Sequence, residues 1–501
     1  MLTFWDTTVL LVAFLSVFYY FCTCTYDHWR KRNVPYLRPV PLFGNFLKAA
    51  VGLRHPFEIF ETVYRHPSGR KCIGFYQMRA PLLLVRDPKL INDILIKDFA
   101  HFTDHGIPVD EEAPLANHLF SMRGQQWKIM RGKMSPVFTS RMLKNMYGQI
   151  AECSSGLLNN LNAHLAKTDV LEVRNIMANY STDVIGTCAF GLHLNAITDH
   201  DSPFRRAGRA VFNPSFMTIL ANMITFISPA IKKKLYLKDM PPQITKFFIK
   251  AFTDTIEYRQ KSSIMRDDLV QNLIQANTDL VINKTEPSVV FKQTDIIANA
   301  FLMFLAGFET VSSTMSYCLY ELALNKTIQD RVREEATHTK TKYNGDISQD
   351  YLKDLRYLQM VISETLRKYP PATVLMREST IAYKVPEDDI LIAKGEKLII
   401  PIYNIHMDSK YYPEPQKFDP ERFTQEEKDK RPSCTYIPFG EGPRLCLGKR
   451  FAEMEMKLAL AELLTKYEVE PCEKTVVPLA YNVRTPTLSP IGGIWLKFKA
   501  I

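Results

Sequence analysis

The sequence predicts a mainly α-helical protein with small β-sheets. Amphipathic stretches long enough for several helical turns dominate from Pro136 onward, whereas β-like runs such as Pro81-Leu-Leu-Leu-Val85 and Lys397-Leu-Ile-Ile400 are short and few. A length of 501 residues would suit about three domains on size alone. No internal repeat, low-complexity tract or Gly/Ser linker divides the chain, however, so one large globular unit is expected.

Nine cysteines without regular spacing do not form a disulfide framework, and a reducing, cytosol-facing compartment is expected. The formal charge of +10 is modest for the length, and no basic run is long enough to suggest nucleic acid. The most telling basic cluster is Arg30-Lys-Arg32, just past an apolar N-terminus. From about Thr7 to Cys24 no residue is charged, which is enough to cross a bilayer as a helix. A cleaved signal peptide is the alternative, but Met1 is followed by no basic region, and large aromatics stand where a cleavage site needs small residues. The division expected is an anchor over 1–27, a basic and proline-rich hinge over 28–45, and a globular domain over 46–501. Positive charge directly after the span places the remainder on the cytoplasmic side. Pro35, Pro39, Pro41 and Gly44 then break helix and stiffen the exit. With that topology the sequons at Asn179, Asn283 and Asn325 are never glycosylated.

Further along, Trp127-Lys-Ile-Met-Arg131 puts an indole N–H and a guanidinium on one helix face. A buried helix is expected from Thr294, taken as its N-cap, through an apolar run to Leu305. In its middle, Ala306-Gly307-Phe308-Glu309-Thr310 places a glycine, a carboxylate and a hydroxyl where a core helix would carry leucine, and burying them is costly unless they bind water or work. Glu364-Thr-Leu-Arg367 sets an acid and a base three apart on another helix, which Pro370-Pro371 ends. Finally, Phe439-Gly-Glu-Gly-Pro-Arg444-Leu-Cys446-Leu-Gly448 holds a cysteine in a glycine-punctuated loop before an amphipathic helix beginning near Lys449. A thiolate there would meet orphan N–H donors and the positive end of the helix dipole. Gly442 and Gly448 let backbone pass close to something flat, Phe439 offers an apolar cover, and Arg444 supplies a fork for carboxylates. A planar iron macrocycle carrying propionates fits all four.

This last stretch resembles the haem-binding signature Phe-x-x-Gly-x-Arg-x-Cys-x-Gly of the cytochrome P-450 superfamily at every defining position. Five motifs in that family's order, from 127 to 448, support the resemblance. It implies the family's fold, haem b (iron protoporphyrin IX) with Cys446 as axial iron ligand, and propionate partners Trp127, Arg131, Arg377 and Arg444. Ala306 and Gly307 would open the helix beside the iron, with Glu309 and Thr310 delivering protons to dioxygen. Glu364 and Arg367, joined by Arg422 of Pro420-Glu-Arg422-Phe423, would scaffold the core without taking part in the chemistry.

The same resemblance implies a monooxygenase that places one atom of dioxygen in its substrate and releases the other as water, aided by the electron-donating thiolate. No Gly-x-Gly-x-x-Gly or flavin domain supplies electrons. A separate NADPH-dependent diflavin reductase is therefore expected, with cytochrome b5 as a further partner, docking near Lys128, Lys133, Lys449 and Arg450. Alignment with the family's variable segments points to a substrate pocket of Leu115, Phe120, Phe301, Phe304, Leu305, Val374, Leu375 and Leu488, lined for a hydrophobic ligand. Pro114-Leu-Ala-Asn-His-Leu-Phe-Ser121 and Leu488-Ser-Pro-Ile-Gly-Gly-Ile-Trp495 look like insect microsomal members that oxidise plant toxins and insecticides, on the cytoplasmic face of the endoplasmic reticulum. Oxidation of an endogenous hormone or lipid is the open alternative. A haem-thiolate isomerase would need no electrons, and a haem sensor would not need the buried acid–threonine pair.

Overall fold

A computed structural model describes residues 3–110, 113–199, 201–262, 266–275, 291–483, 485 and 487–501. Helix dominates and the sheets are small, because the long amphipathic stretches bury one face each while only short runs alternate. Backbone contacts separate two compact units, each drawn from three stretches: Met1–Pro108, Pro214–Met240 and Thr373–Ile405, and Val109–Asn213, Pro241–Ala372 and His406–Ile501.

The first unit begins with helix Phe4–Thr23, capped by Thr3 and Asp6, each side chain accepting the other's backbone N–H. It is long and apolar enough to cross a membrane, and its apolar window is not buried against protein. The proline-rich stretch behind it is tied to Gly74. Gly74 N–H donates to the Pro35 carbonyl at 2.8 Å and Leu37 N–H to the Gly74 carbonyl at 3.1 Å. Trp29, almost fully buried, donates its indole N–H to the Phe75 carbonyl and lies so close that a Cβ on Gly74 would meet its ring at 2.5 Å. The two β runs expected from sequence lie in strands Ala80–Val85 and Lys397–Ile400, paired in parallel through Leu83 and Leu398. Cys72–Gln77 and Leu375–Glu378 flank them antiparallel.

The second unit is organised by helix Gln293–Leu324, against which Val173–Ile185, Arg356–Lys368 and Lys449–Leu464 pack. This helix also has the length and hydropathy of a membrane span, but 67% of that window is buried inside the protein, so it is a core helix. Its N-cap is Lys292, two residues before the expected Thr294, because the Asp295 carboxylate accepts the Lys292 N–H at 2.8 Å and closes the first turn there. Strands Val170–Glu172, Trp495–Ala500 and Tyr467–Pro471 form an antiparallel sheet with Trp495–Ala500 in the middle. None of the nine cysteines is in a disulfide. Of the sequons, Asn179 is buried and its amide oxygen accepts from Arg205, while Asn283 lies outside the described residues.

Glu364, Arg367 and Arg422 do meet. The Glu364 carboxylate takes two charge-assisted bonds from Arg367 at 2.6 and 2.8 Å and one from Asp419 N–H, while Arg422 approaches it at 3.5 Å. The pair has no accessible surface, yet it is well satisfied, since Arg367 also donates to the carbonyls of His406 and Pro415. His406 in turn accepts Ile437 N–H on Nε2 at 3.1 Å, and its Nδ1 lies 3.2 Å from the Arg367 carbonyl. That arrangement requires a neutral ring, and burial followed by the Arg367 charge lowers its pKa to about 3. The pair thus grips the chain two residues before Phe439. Glu364→Gln should strand the buried Arg367 charge and cost about 3–5 kcal/mol, read as a lower thermal midpoint.

Candidate active site

The loop from Phe439 to Gly448 is closed by Cys446 N–H donating to the Phe439 carbonyl at 2.9 Å. Gly440 and Gly442 take positive φ of 73° and 71°, which a side chain would oppose. Gly448 is different, because a Cβ there would sit an ordinary 3.8 Å from Phe138; it is the N-cap of helix Lys449–Leu464, and no protein neighbour demands glycine. Arg131 donates to the Leu445 carbonyl at 2.7 Å, so part of its fork is committed to holding the loop. Arg444 lies flat over the Trp127 ring, 4.3 Å from its centroid, and reaches the carbonyls of Leu119 and Met122. Trp127, Arg131, Arg444 and the cysteine loop are therefore brought together.

Cys446 combines two properties that rarely coexist. Its side chain is exposed, yet protein surrounds it, and loss of solvation is the largest influence on its pKa. Burial outweighs the Gly448 N–H at the helix N-terminus and the Arg131 and Lys449 charges, all of which favour the thiolate, and the thiol pKa is raised. A metal ion would reverse that balance, since a coordinated thiol gives up its proton. Arg131 sits close enough for Cys446 to offset part of the lowering that burial imposes on it.

On helix Gln293–Leu324, Ala306 is exposed although Phe301, Phe304, Phe308 and Glu309 around it are buried. Gly307 does not share that face. A Cβ there would strike Ile185 at 2.7 Å, so its lack of a side chain lets two helices approach and does not open the cofactor side as expected. The Thr310 hydroxyl donates to the Ala306 carbonyl at 2.6 Å. Glu309 is buried in an ion pair with Arg174 at 2.5 Å and also accepts from Ser313 at 3.4 Å. Glu309, Thr310, Thr487 and Leu488 line a narrow cavity with space on the scale of one water molecule.

Other expected pocket residues separate. Phe301 and Phe304 belong to an aromatic core cluster with Phe204, Phe248 and Phe308, which accounts for their burial without a ligand. Leu115 and Leu488 are buried, Leu305 partly so, and Phe120 is half exposed. In the other unit, Val374 and Leu375 are partly exposed at the start of strand Leu375–Glu378. On that strand Arg377 is 1% exposed, and its Nε has no hydrogen-bond partner among the described residues. Its Nη1 donates to the adjacent Met376 carbonyl at 2.8 Å, and burial pulls its pKa to about 10. A buried cation short of an anion suits a propionate. Arg174 and His406 escaped sequence reasoning, because neither lies in a motif and each acts through a partner more than a hundred or about forty positions away.

These residues fit haem: an accessible cysteine in a glycine-bent loop, an accessible alanine on a buried helix, and the guanidinium groups of Arg131 and Arg444 beside that loop. Comparison with known proteins agrees. The family model for cytochrome P450 matches residues 34–496. The chain is 36% identical to cytochrome P450 6k1 of Blattella germanica, over 98% of this chain and 97% of that protein. It is likewise 36% identical to cytochrome P450 6a2 of Drosophila melanogaster, over 98% and 99% respectively. Cytochrome P450 6j1 of Blattella germanica is 33% identical over 97% of each chain.

Gly307→Val should overpack the contact with Ile185 and cost about 1–3 kcal/mol in thermal unfolding while the haem spectrum of the remaining folded protein is unchanged. Ala306→Val should do the reverse, sparing stability and perturbing the spectrum. With the cysteine loop, the central helix and the family match in agreement, the chain belongs to the cytochrome P450 family of haem-dependent monooxygenases.

Proposed function

We propose that this chain oxidises hydrophobic foreign compounds such as plant toxins or insecticides, and that Cys446 would ligate the iron of haem b. The observation that carries the site assignment is Cys446, accessible although crowded by protein, in the glycine-bent loop that leads into helix Lys449–Leu464. Bound there, haem supplies the dioxygen-activating iron. Cys446 donates its thiolate, the Phe439 carbonyl and Arg131 hold the loop still, and Trp127, Arg131 and Arg444 present N–H donors for propionates. Arg377 is proposed as a further propionate partner on its own unmet need for an anion. Ala306 leaves the helix face low beside the ligand. Thr310, with Glu309 behind it, passes protons inward through the narrow cavity that they share with Leu488.

Electrons come from NADPH through a separate diflavin reductase, with cytochrome b5 as a second donor. Exposed Lys128 and Arg450, and partly exposed Lys133 and Lys449, are the proposed docking charges. The helix Phe4–Thr23 anchors the chain in the endoplasmic reticulum with Arg30-Lys-Arg32 and the catalytic part on the cytoplasmic side. Exposed Phe216 and Met217, in the same compact unit as that helix, add to the membrane reading. The detoxifying role is supported by the likeness to the insect relatives.

The first test is the absorption spectrum of the reduced protein with and without carbon monoxide. A strongly red-shifted Soret band is expected, lost in Cys446→Ser; a histidine-like or absent haem spectrum in folded protein would overturn the assignment. Thr310→Ala should keep that band but divert dioxygen to peroxide and water, and an unchanged ratio of product to dioxygen would remove Thr310 from the proton path.

A further inference from the structure

We propose that Arg174 is a positioning residue that ties the Glu309 carboxylate to the turn at Thr487–Ser489. The inference rests on the reading of Glu309 as the proton-delivering acid for its functional meaning, but its geometry stands apart from that reading.

Arg174 occupies the second position of helix Val173–Ile185, whose N-cap Glu172 accepts the N–H groups of Arg174 and Asn175. From there its guanidinium bridges two acceptors. One terminal nitrogen donates to Glu309 Oε1 at 2.5 Å and the other to Ser489 Oγ at 2.5 Å. Because the fork is planar and rigid, those two oxygens cannot move independently while both bonds are kept. Ser489 is itself buried, and its neighbour Leu488 is fixed by a 2.5 Å bond from the Tyr317 hydroxyl to the Leu488 carbonyl. Leu488 lines the narrow cavity with Glu309 and Thr310, so a ligand pressing on Leu488 acts on Ser489, and through Arg174 on Glu309.

The acid is held away from its alcohol in this arrangement. Among the described residues no hydrogen bond joins Glu309 to Thr310, whose hydroxyl is occupied by the Ala306 carbonyl. The other charge facing Glu309 is Arg205, buried with amide partners from Asn175 and Asn179 and lying beside Phe308. Two cations thus compete for one carboxylate, and Arg174 holds it. Its second bond makes that hold dependent on where the turn sits. A buried ion pair kept only for stability would need no such link.

The test uses the full-length, haem-loaded protein. The infrared carboxylate band of Glu309 is identified as the one missing in Glu309→Gln, and its position is compared in Ser489→Ala, a variant that does not touch Glu309. Ser489→Ala should shift the band, Arg174→Lys should shift it similarly by losing one arm of the fork, and Ser489→Ala should add nothing in an Arg174→Gln background. With a diflavin reductase, NADPH and ethoxycoumarin as probe, Arg174→Gln should lower product per dioxygen roughly tenfold, short of the ~100-fold lower bound for losing a proton-transfer group itself. An unmoved band in Ser489→Ala overturns the coupling, and since that variant removes only one hydroxyl, the outcome does not depend on Arg174→Gln folding. If Glu309→Gln leaves product per dioxygen unchanged, the proton-delivery reading fails, while the band still decides the positioning role.

Discussion

The buried pair of Glu364 and Arg367 is the interaction on which the cysteine loop depends. Two full charges without accessible surface are a liability unless every donor and acceptor is used. Here the demand is met by chain that arrives from far away in sequence: the carbonyls of His406 and Pro415, the N–H of Asp419, and the Arg422 charge. Meeting it fixes His406 as a neutral acceptor for Ile437 N–H, and the Tyr436 hydroxyl adds a bond to the Ser363 carbonyl. The strand of chain entering the Cys446 loop is therefore hung from helix Arg356–Lys368. Position at the sulfur is a consequence of satisfying a charge some distance from it.

Arginine does this work repeatedly. Arg131 and Arg444 spend donors on backbone carbonyls of loops that would otherwise be free, and Arg174 joins a helix, a carboxylate and a turn. A lysine point charge could replace none of these without losing one arm. Arg377 stands out against these groups: it is almost fully buried, and its Nε has no hydrogen-bond partner among the described residues.

Burial also sets the electrostatics at the centre. At Cys446 the dipole and nearby cations favour the thiolate, and loss of water opposes it more strongly. The loop alone does not decide the protonation state; the ion that it receives does. Glycines near the site divide by cause. Gly440 and Gly442 are needed for backbone angle, Gly307 for helix approach, and Gly448 for neither.

Sequence alone determined the mainly helical class, the apolar N-terminal helix, the strands at Ala80–Val85 and Lys397–Ile400, and the identity of the cysteine loop, because each is a local pattern of hydropathy or of a few residues at fixed spacing. The family resemblance of its motifs also implied that Glu364, Arg367 and Arg422 meet. Tertiary structure alone decided which face Gly307 presents, that Phe301 and Phe304 belong to an aromatic core, that the proline-rich stretch is pinned to Gly74, and that Glu309 is held by Arg174. Those outcomes depend on side chains that meet across long stretches of chain, and no periodicity within either segment encodes where its partner will lie.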